Sequence, residues 1–404
     1  MASDAQNSLV DKIKAWAFNH LDLIFTILRW VKPVLVVKNF ALVTRFQHVQ
    51  EILSNDEAFN VTYKDKMIKV TDGENFFLGM QNTPRYTRDV SNMRLTARRE
   101  DLDEKIAPFV DDCAEKIMSG AKGRIDVPPE LSKLVATRLV GDYFGTPGWN
   151  EVEFADAATS MFQYLFYPDD PEVEKTALAG AAKCRSYLDG VIAEGKKNRG
   201  QRDDVLERCL ILQDANTPGM SDLDIRNNFI GLIIGAIPTT AKCVVLVLDY
   251  LLSQPNLLAQ AQQAALADDN DTLTKYMLEA LRFNSFAAGI QRITVEDYVV
   301  GRGSLRATKI PKGTKVLAST QSAMMDCLKL KSPSQFRLDR PDYQYMHFGF
   351  GLHTCFGQYI NLVQIPRICK AVLKRKGLRR ASGPEGQMQS VGPFPVHLVV
   401  EFDS

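Results

Sequence analysis

The chain has 404 residues, 45% of them hydrophobic and 24% charged, with a formal net charge of +1. That length suits one large or two ordinary domains with a sizeable core, and the near-neutral balance gives no reason to expect a nucleic-acid partner. Seven cysteines, at positions 113, 184, 209, 243, 327, 355 and 369, form no C-x-x-C pair, which argues against a disulfide framework and a zinc ribbon and points to a reducing, cytoplasmic setting.

In chain order, residues 1–33 read as an N-terminal amphipathic helix. Leu9 to Trp30 is apolar-rich, but Lys12, Lys14, Asp22 and Arg29 interrupt it, well short of the roughly 18 clean residues of a membrane span. No transmembrane segment and no cleaved leader are expected; a weak membrane-surface contact is left open. Val34 to Thr44 carries β-branched clusters around Lys38-Asn39 and predicts a hairpin. Gln47 to Leu53 reads as helix, and Thr62 to Met80, without clear periodicity, as a long loop.

From Pro84 to about Asp271 helical spacing dominates, with candidate helices at Ala107 to Ser119, Pro129 to Phe144, Phe154 to Phe166, Glu174 to Lys196 and Val205 to Leu212. Ser221 to Asp224 has a capping-box pattern that opens a long apolar helix to about Ser253. Asn270 to Phe283 is another helix. Ile290 to Thr294, Tyr298 to Val300 and Lys315 to Ala318 read as strands, Ile360 to Lys376 as helix, and Val396 to Phe402 as a closing strand. The fold class expected is mainly α with small β-sheets, an α+β arrangement.

Late in the chain stands F-G-F-G-L-H-T-C-F-G, Phe348 to Gly357. A single thiolate among glycines suits a soft metal whose other positions are filled by a macrocycle, as in heme iron. Gly349, Gly351 and Gly357 would permit tight turns and close approach around Cys355. The sulfur would stand just before a helix N-terminus, where the dipole favours negative charge. His353 would meet a heme propionate.

This stretch resembles the heme-binding signature of the cytochrome P450 family, F-x-x-G-x-(H or R)-x-C-x-G, at every fixed position. Glu279-Ala280-Leu281-Arg282 resembles the family's E-x-x-R motif, with Arg340 as its third, structural member; a helix turn places Glu279 and Arg282 on one face. The resemblance implies a P450-like fold for residues 34–404 as a single heme domain and heme b as cofactor. It makes Cys355 the axial ligand and metal-binding residue, supported by Phe348, Gly349, His353 and Gly357, and gives Arg292 to a propionate.

The resemblance departs in the long helix, at Gly235 to Thr240 (G-A-I-P-T-T), where the family commonly has an acid before a threonine. Here Pro238 replaces the acid. Thr239 and Thr240 are the candidate proton-delivery hydroxyls beside it. In the stretch that resembles the entry to the family's third helix, Tyr86 falls on the usual histidine, and Tyr86 and Arg88 become the candidate propionate contacts. The family topology implies pocket walls at Ile233, Ala236, Ile237, Phe286, Ala288, Ile290 and Phe394, hence a lipophilic or aromatic substrate. Lys64, Lys66 and Lys69 are candidates for a substrate carboxylate.

The leading reading is a heme-thiolate monooxygenase that uses O2 and electrons from a separate ferredoxin or flavodoxin-type donor, since no dinucleotide fingerprint or iron–sulfur spacing is present. Lys370, Lys374, Arg375, Lys376, Arg379 and Arg380 form a basic set that would face such a donor. The alternatives are a peroxygenase or fatty-acid hydroperoxide isomerase or lyase, needing no donor, and a non-catalytic heme sensor.

Overall fold

The computed structural model describes residues 20–73 and 76–403, which fold into two compact units. The first comprises residues 20–62 and Ala287–Thr354, the second Tyr63–Phe286 and the chain from Cys355 onward.

The first unit is built on a five-stranded sheet. Its strand order is Val34–Val37, Phe40–Val43, Lys315–Ala318, Ile290–Thr294 and Phe59–Asn60. The predicted hairpin is its edge: Val34 pairs with Val43 and Val37 with Phe40, antiparallel, and Lys38 turns the chain at φ 54°. Phe40–Val43 then runs parallel to Lys315–Ala318, a pairing the intervening chain of more than 270 residues makes possible and no local pattern foretells. The helix Phe46–Ser54 covers the sheet with Phe46, Val49, Ile52 and Leu53, which join Ala41, Val43, Val316 and Ala318 in one core. The amphipathic N-terminal helix is described from Leu21 to Val31; the remainder of that prediction lies outside the described residues. Its Arg29 is buried and donates to the Ser322 hydroxyl at 2.8 Å and its carbonyl at 3.2 Å, while Leu23, Ile27, Trp30 and Val31 stay exposed.

The second unit is helical and organised around the long helix Asp222–Leu252. Ser221 starts it with a full capping box to Asp224, satisfying two end groups reciprocally. This helix is long and apolar enough to cross a membrane, but 78% of its most apolar stretch is buried in the fold. It packs against helices Lys133–Tyr143, Glu151–Phe166, Pro171–Lys197, Asn270–Phe283 and Gln358–Leu373. Side-chain caps set several of these starts: Asn150 accepts from Val152 and Glu153, Asp170 from Glu172 and Val173, and Asp269 from Thr272. The α+β character expected from the sequence is therefore present.

Several elements differ from the sequence-based expectation. The loop expected at Thr62 to Met80 contains the helix Lys64–Thr71 and a tight turn at Phe77–Gly79. Charged residues dilute its apolar face, but Met67 and Val70 sit one turn apart and are buried. A further helix, Pro255–Leu266, was masked by its alanine and glutamine content; only Ala261 and Ala265 are buried along it. The closing strand is two strands. Phe394–His397 pairs with Gln389–Val391, whereas Val399–Glu401 lies between Arg124–Asp126 and Arg379–Arg380 in another sheet.

Candidate functional site

Cys355 precedes the helix Gln358–Leu373, whose N-cap is Gly357. The Gly357 backbone N–H bonds to the Cys355 sulfur and favours its anionic form, while burial, the larger influence, pushes the thiol up. The net effect favours the neutral thiol, which a bound metal cation would convert to its thiolate. In the first unit, the N-terminal part of the loop turns through Gly349 and Gly351, at φ 77° and 76°. At Gly351 a Cβ would also lie 2.4 Å from the Leu53 carbonyl oxygen, so only glycine fits. Gly357 differs from expectation: its φ is −82°, and a Cβ there would meet nothing closer than 3.6 Å.

Across from the thiol runs the long helix. Cys355, Gly357, Asn361 and Gln364 share one mainly apolar cleft with Gly231, Gly235 and Ala236 of that helix, with a volume of about 60 Å³. Most of the helix is buried, but Gly235, Ala236 and Thr239 remain partly open, on one side at i, i+1 and i+4. A Cβ at Gly235 would meet nothing within 4 Å. Thr239 donates its hydroxyl proton to the Gly235 carbonyl. Pro238 is buried inside the helix; lacking an N–H, it frees the carbonyl of Ile234 from its helical bond.

Thr240 points elsewhere. It is fully buried and donates to Asn361 Oδ1 at 2.9 Å, while Gln364 Nε2 donates to Thr240 Oγ1 at 2.9 Å and to Asn361 Oδ1 at 2.7 Å. This polar group ties the long helix to the cysteine helix. Sequence reasoning missed Asn361 and Gln364. Their spacing of one helix turn after the cysteine loop was the available signal. Pro366 also interrupts the cysteine helix, and the Leu362 carbonyl it releases accepts from Thr274 Oγ1 at 3.3 Å.

The remaining predicted residues divide between the units. Glu279 and Arg282, both fully buried, form a two-pronged pair at 2.7 and 2.8 Å in the second unit. Arg340, in the first, donates to the carbonyls of Lys331, Ser332 and Gln335 at 2.8 to 3.0 Å. Also in the first unit, buried Arg292 lies on the strand Ile290–Thr294 and donates to the Gln291 carbonyl at 2.9 Å. It acts on His353, which burial, and then this guanidinium, push down to about 4, leaving a neutral imidazole at pH 7. Phe348, Ala288 and Ile290 belong to that unit; the Ala288 carbonyl accepts from Ser319.

Of the expected walls in the second unit, Ala236 lines the cleft, whereas Ile233 and Ile237 are fully buried in the core. Phe286 and Phe394 stand edge-on to Phe162, with ring centroids 6.0 and 5.7 Å away. Tyr86 is buried, edge-on to Phe77. Arg88 pairs with Asp89 at 2.7 Å and lies against Gly219, neither of which lines the cleft.

Two sets of candidate cations already have partners within the chain. Lys370, Lys374, Arg375, Arg379 and Arg380 already face Asp111, Asp268, Glu115, Glu401 and Asp249 respectively, at 2.7 to 3.2 Å, so the basic set is largely neutralised within the chain. Lys66 pairs with Asp169 at 2.7 Å and Lys69 with Glu174 at 2.8 Å, which occupies both as candidate carboxylate binders.

Among the described residues no group of three or more His, Cys, Asp and Glu converges on a metal position. A metal at Cys355 would therefore need most of its ligands from a macrocycle, and the apolar cleft, the lone thiol and the side-chain-free face at Gly235 fit a heme.

The chain is similar to known proteins over most of its length. It is 20% identical over 399 residues to the bifunctional dioxygenase–epoxy alcohol synthase of Pyricularia oryzae, covering 88% of this chain and 34% of that protein. It is 24% identical to the cytochrome P450 monooxygenase PikC of Streptomyces venezuelae, covering 83% and 77%. The chain spans about a third or less of the length of the first curated relatives it matches. A crystal structure of P450BioI in complex with hexadec-9Z-enoic acid ligated acyl carrier protein shares the fold at a TM-score of 0.80 and 18% identity, covering 96% and 100%. The profile of the cytochrome P450 family matches residues 30–378; with the signature cysteine inside that match, the chain belongs to the cytochrome P450 family, oxidoreductases that bind heme b.

Proposed function

We propose that the chain is a heme-thiolate monooxygenase acting on a lipophilic small molecule. The reaction is RH + O2 + 2 electrons + 2 protons giving ROH + H2O, with electrons from a separate ferredoxin or flavodoxin-type donor. The observation that carries this is the single thiol of Cys355 sharing an apolar cleft with the open Gly235–Ala236 segment. Bound heme supplies the redox-active iron and the oxygen chemistry. Residues 34–404 act as one heme domain behind the N-terminal helix.

Cys355 would hold the iron, with Phe348, Gly349 and Gly357 shaping the loop around it. Arg292 and neutral His353 would hold a propionate. Thr239 Oγ1 keeps a proton close to the open face of the long helix. Thr240, through Asn361 and Gln364, holds the two facing helices in register. Glu279 and Arg282 brace the helix that packs on the cysteine helix, and Arg340 fixes the chain around Lys331 to Gln335. Ala236, Phe286 and Phe394 exclude water from the substrate.

The test is direct. Cys355→Ser should abolish the thiolate-specific absorption of the reduced carbon monoxide adduct that the wild type shows. A wild type without that absorption refutes the heme-thiolate reading.

A second reading is supported by Pro238 and by the relative named as an epoxy alcohol synthase. There the oxidant arrives with its O–O bond made. A peroxygenase would take one oxygen from hydrogen peroxide and leave water; a hydroperoxide isomerase or lyase would rearrange or cleave a fatty-acid hydroperoxide with no added electrons. Turnover with ferredoxin and NAD(P)H against turnover with hydrogen peroxide or a lipid hydroperoxide separates the readings. Product under any of these conditions excludes a sensor-only role.

A further inference from the structure

The long helix carries a cation that nothing above uses. Lys242 is only 8% exposed. Its Nζ lies 4.5 Å from the Phe286 ring centroid and 5.7 Å from that of Phe394. Phe162 stands edge-on to both rings. Among the described residues, no carboxylate pairs with this ammonium, in contrast to Lys66 and Lys69. Ring faces attract a cation but do not replace its hydration. Burial accordingly pushes the Lys242 ammonium down to about 8, still mostly charged at pH 7.

Its position on the helix gives this cation a use. Lys242 follows Gly235 by seven residues, which is two turns along the same face and roughly 10 Å along the axis. Thr239 lies between them on that face. An ammonium packed over aromatic rings, two turns from a cleft wall, suits an elongated amphiphile with a charged end.

We propose that Lys242 is the head-group site for the substrate, an apolar chain ending in a carboxylate. The carboxylate pairs with Lys242, and the chain runs along Thr239 towards Gly235 and the cleft that holds Cys355. A single buried ammonium matches one negative charge; a phosphate dianion would need further donors to leave water. The spacing brings carbons far from the head group, not those next to it, opposite Cys355. This inference rests on the proposed function only in taking the substrate to lie in that cleft.

The experiment measures dissociation constants by calorimetry on heme-loaded, full-length protein, with the heme spin-state shift as a second readout. The probes are palmitate, methyl palmitate and hexadecyl phosphate. The wild type should bind palmitate at least about tenfold more tightly than the ester, as a hydrogen-bonded charge pair implies. Lys242→Met should erase that preference while leaving the ester within about twofold, and Lys242→Arg should keep most of it. Equal binding of acid and ester by the wild type, or an undiminished preference in Lys242→Met, overturns the proposal. Tighter binding of the phosphate overturns the monoanion assignment. Should Lys242→Met fail to fold, the wild-type acid-to-ester ratio and the Lys242→Arg variant still decide. A missing thiolate signature with intact acid preference would sink the functional reading alone; a normal signature without preference would sink this one alone.

Discussion

Removing one member of the Glu279–Arg282 pair should cost far more than removing both. Both side chains are wholly out of solvent and joined by two charge-assisted bonds of 2.7 and 2.8 Å. Arg282→Met leaves the Glu279 carboxylate buried without its guanidinium, a loss of about 3–5 kcal/mol in such settings. The doubly apolar variant Glu279→Leu with Arg282→Met leaves neither charge of this pair facing the gap left by the other, so its loss should be smaller than that of either single variant. The helix that carries the pair packs on the cysteine helix, and its Thr274 caps the carbonyl freed by Pro366. Heme retention should therefore fall in parallel with stability. Urea denaturation followed by circular dichroism gives the free energies, and the heme-to-protein absorbance ratio gives retention. An Arg282→Met variant within about 1 kcal/mol of wild type, or a double variant at least as destabilised as either single, would refute the reasoning.

Two further outcomes are expected. Pro238→Asp restores a carboxylate at the position before Thr239 and the backbone N–H; product formed per electron delivered should rise if proton supply limits O2-driven turnover, and an unchanged ratio under O2 with rapid peroxide turnover would favour the second reading. The folded-state pKa of Lys242, about 8, lies below its ordinary 10.5, so the unfolded chain binds the extra proton between those values. Its destabilising effect is fully present below pH 8 and disappears above pH 10.5. Lys242→Met should therefore be more stable than wild type at pH 7 by up to about 3 kcal/mol, at roughly 1.4 kcal/mol per pH unit, and the two should converge near pH 10.5. Parallel stability curves would show that the ammonium is not buried at a cost.

Much of the second unit could be read locally. The capping box at Ser221, the caps at Asp170 and Asp269, and the turn residues between helices are short-range signals, and those helices start within a few residues of their predicted bounds. The helix Lys64–Thr71 was hidden because its buried residues are few and surrounded by charge. The chain end was misread as one strand because a run of β-formers does not say which partner each residue meets; Val399–Glu401 is defined by residues 124–126 and 379–380.

The cysteine loop was legible for a related reason: its chemistry needs particular residue types a fixed number of positions apart, and chain connectivity alone keeps Cys355 beside its glycines and its helix. The Glu279–Arg282 pair lies one helix turn apart and obeys the same rule. Which charges are satisfied is another matter. The neutralisation of the basic residues near the C-terminus, the capture of Thr240 by Asn361 and Gln364, and the enclosure of Lys242 by Phe286 and Phe394 all join segments tens to hundreds of residues apart. Periodicity and spacing are short-range properties, whereas burial and ion pairing depend on what the fold brings within a few ångströms. The cysteine loop was therefore written in the sequence, and which cations are paired and which, like Lys242, are buried without a carboxylate among the described residues was decided only by the tertiary structure.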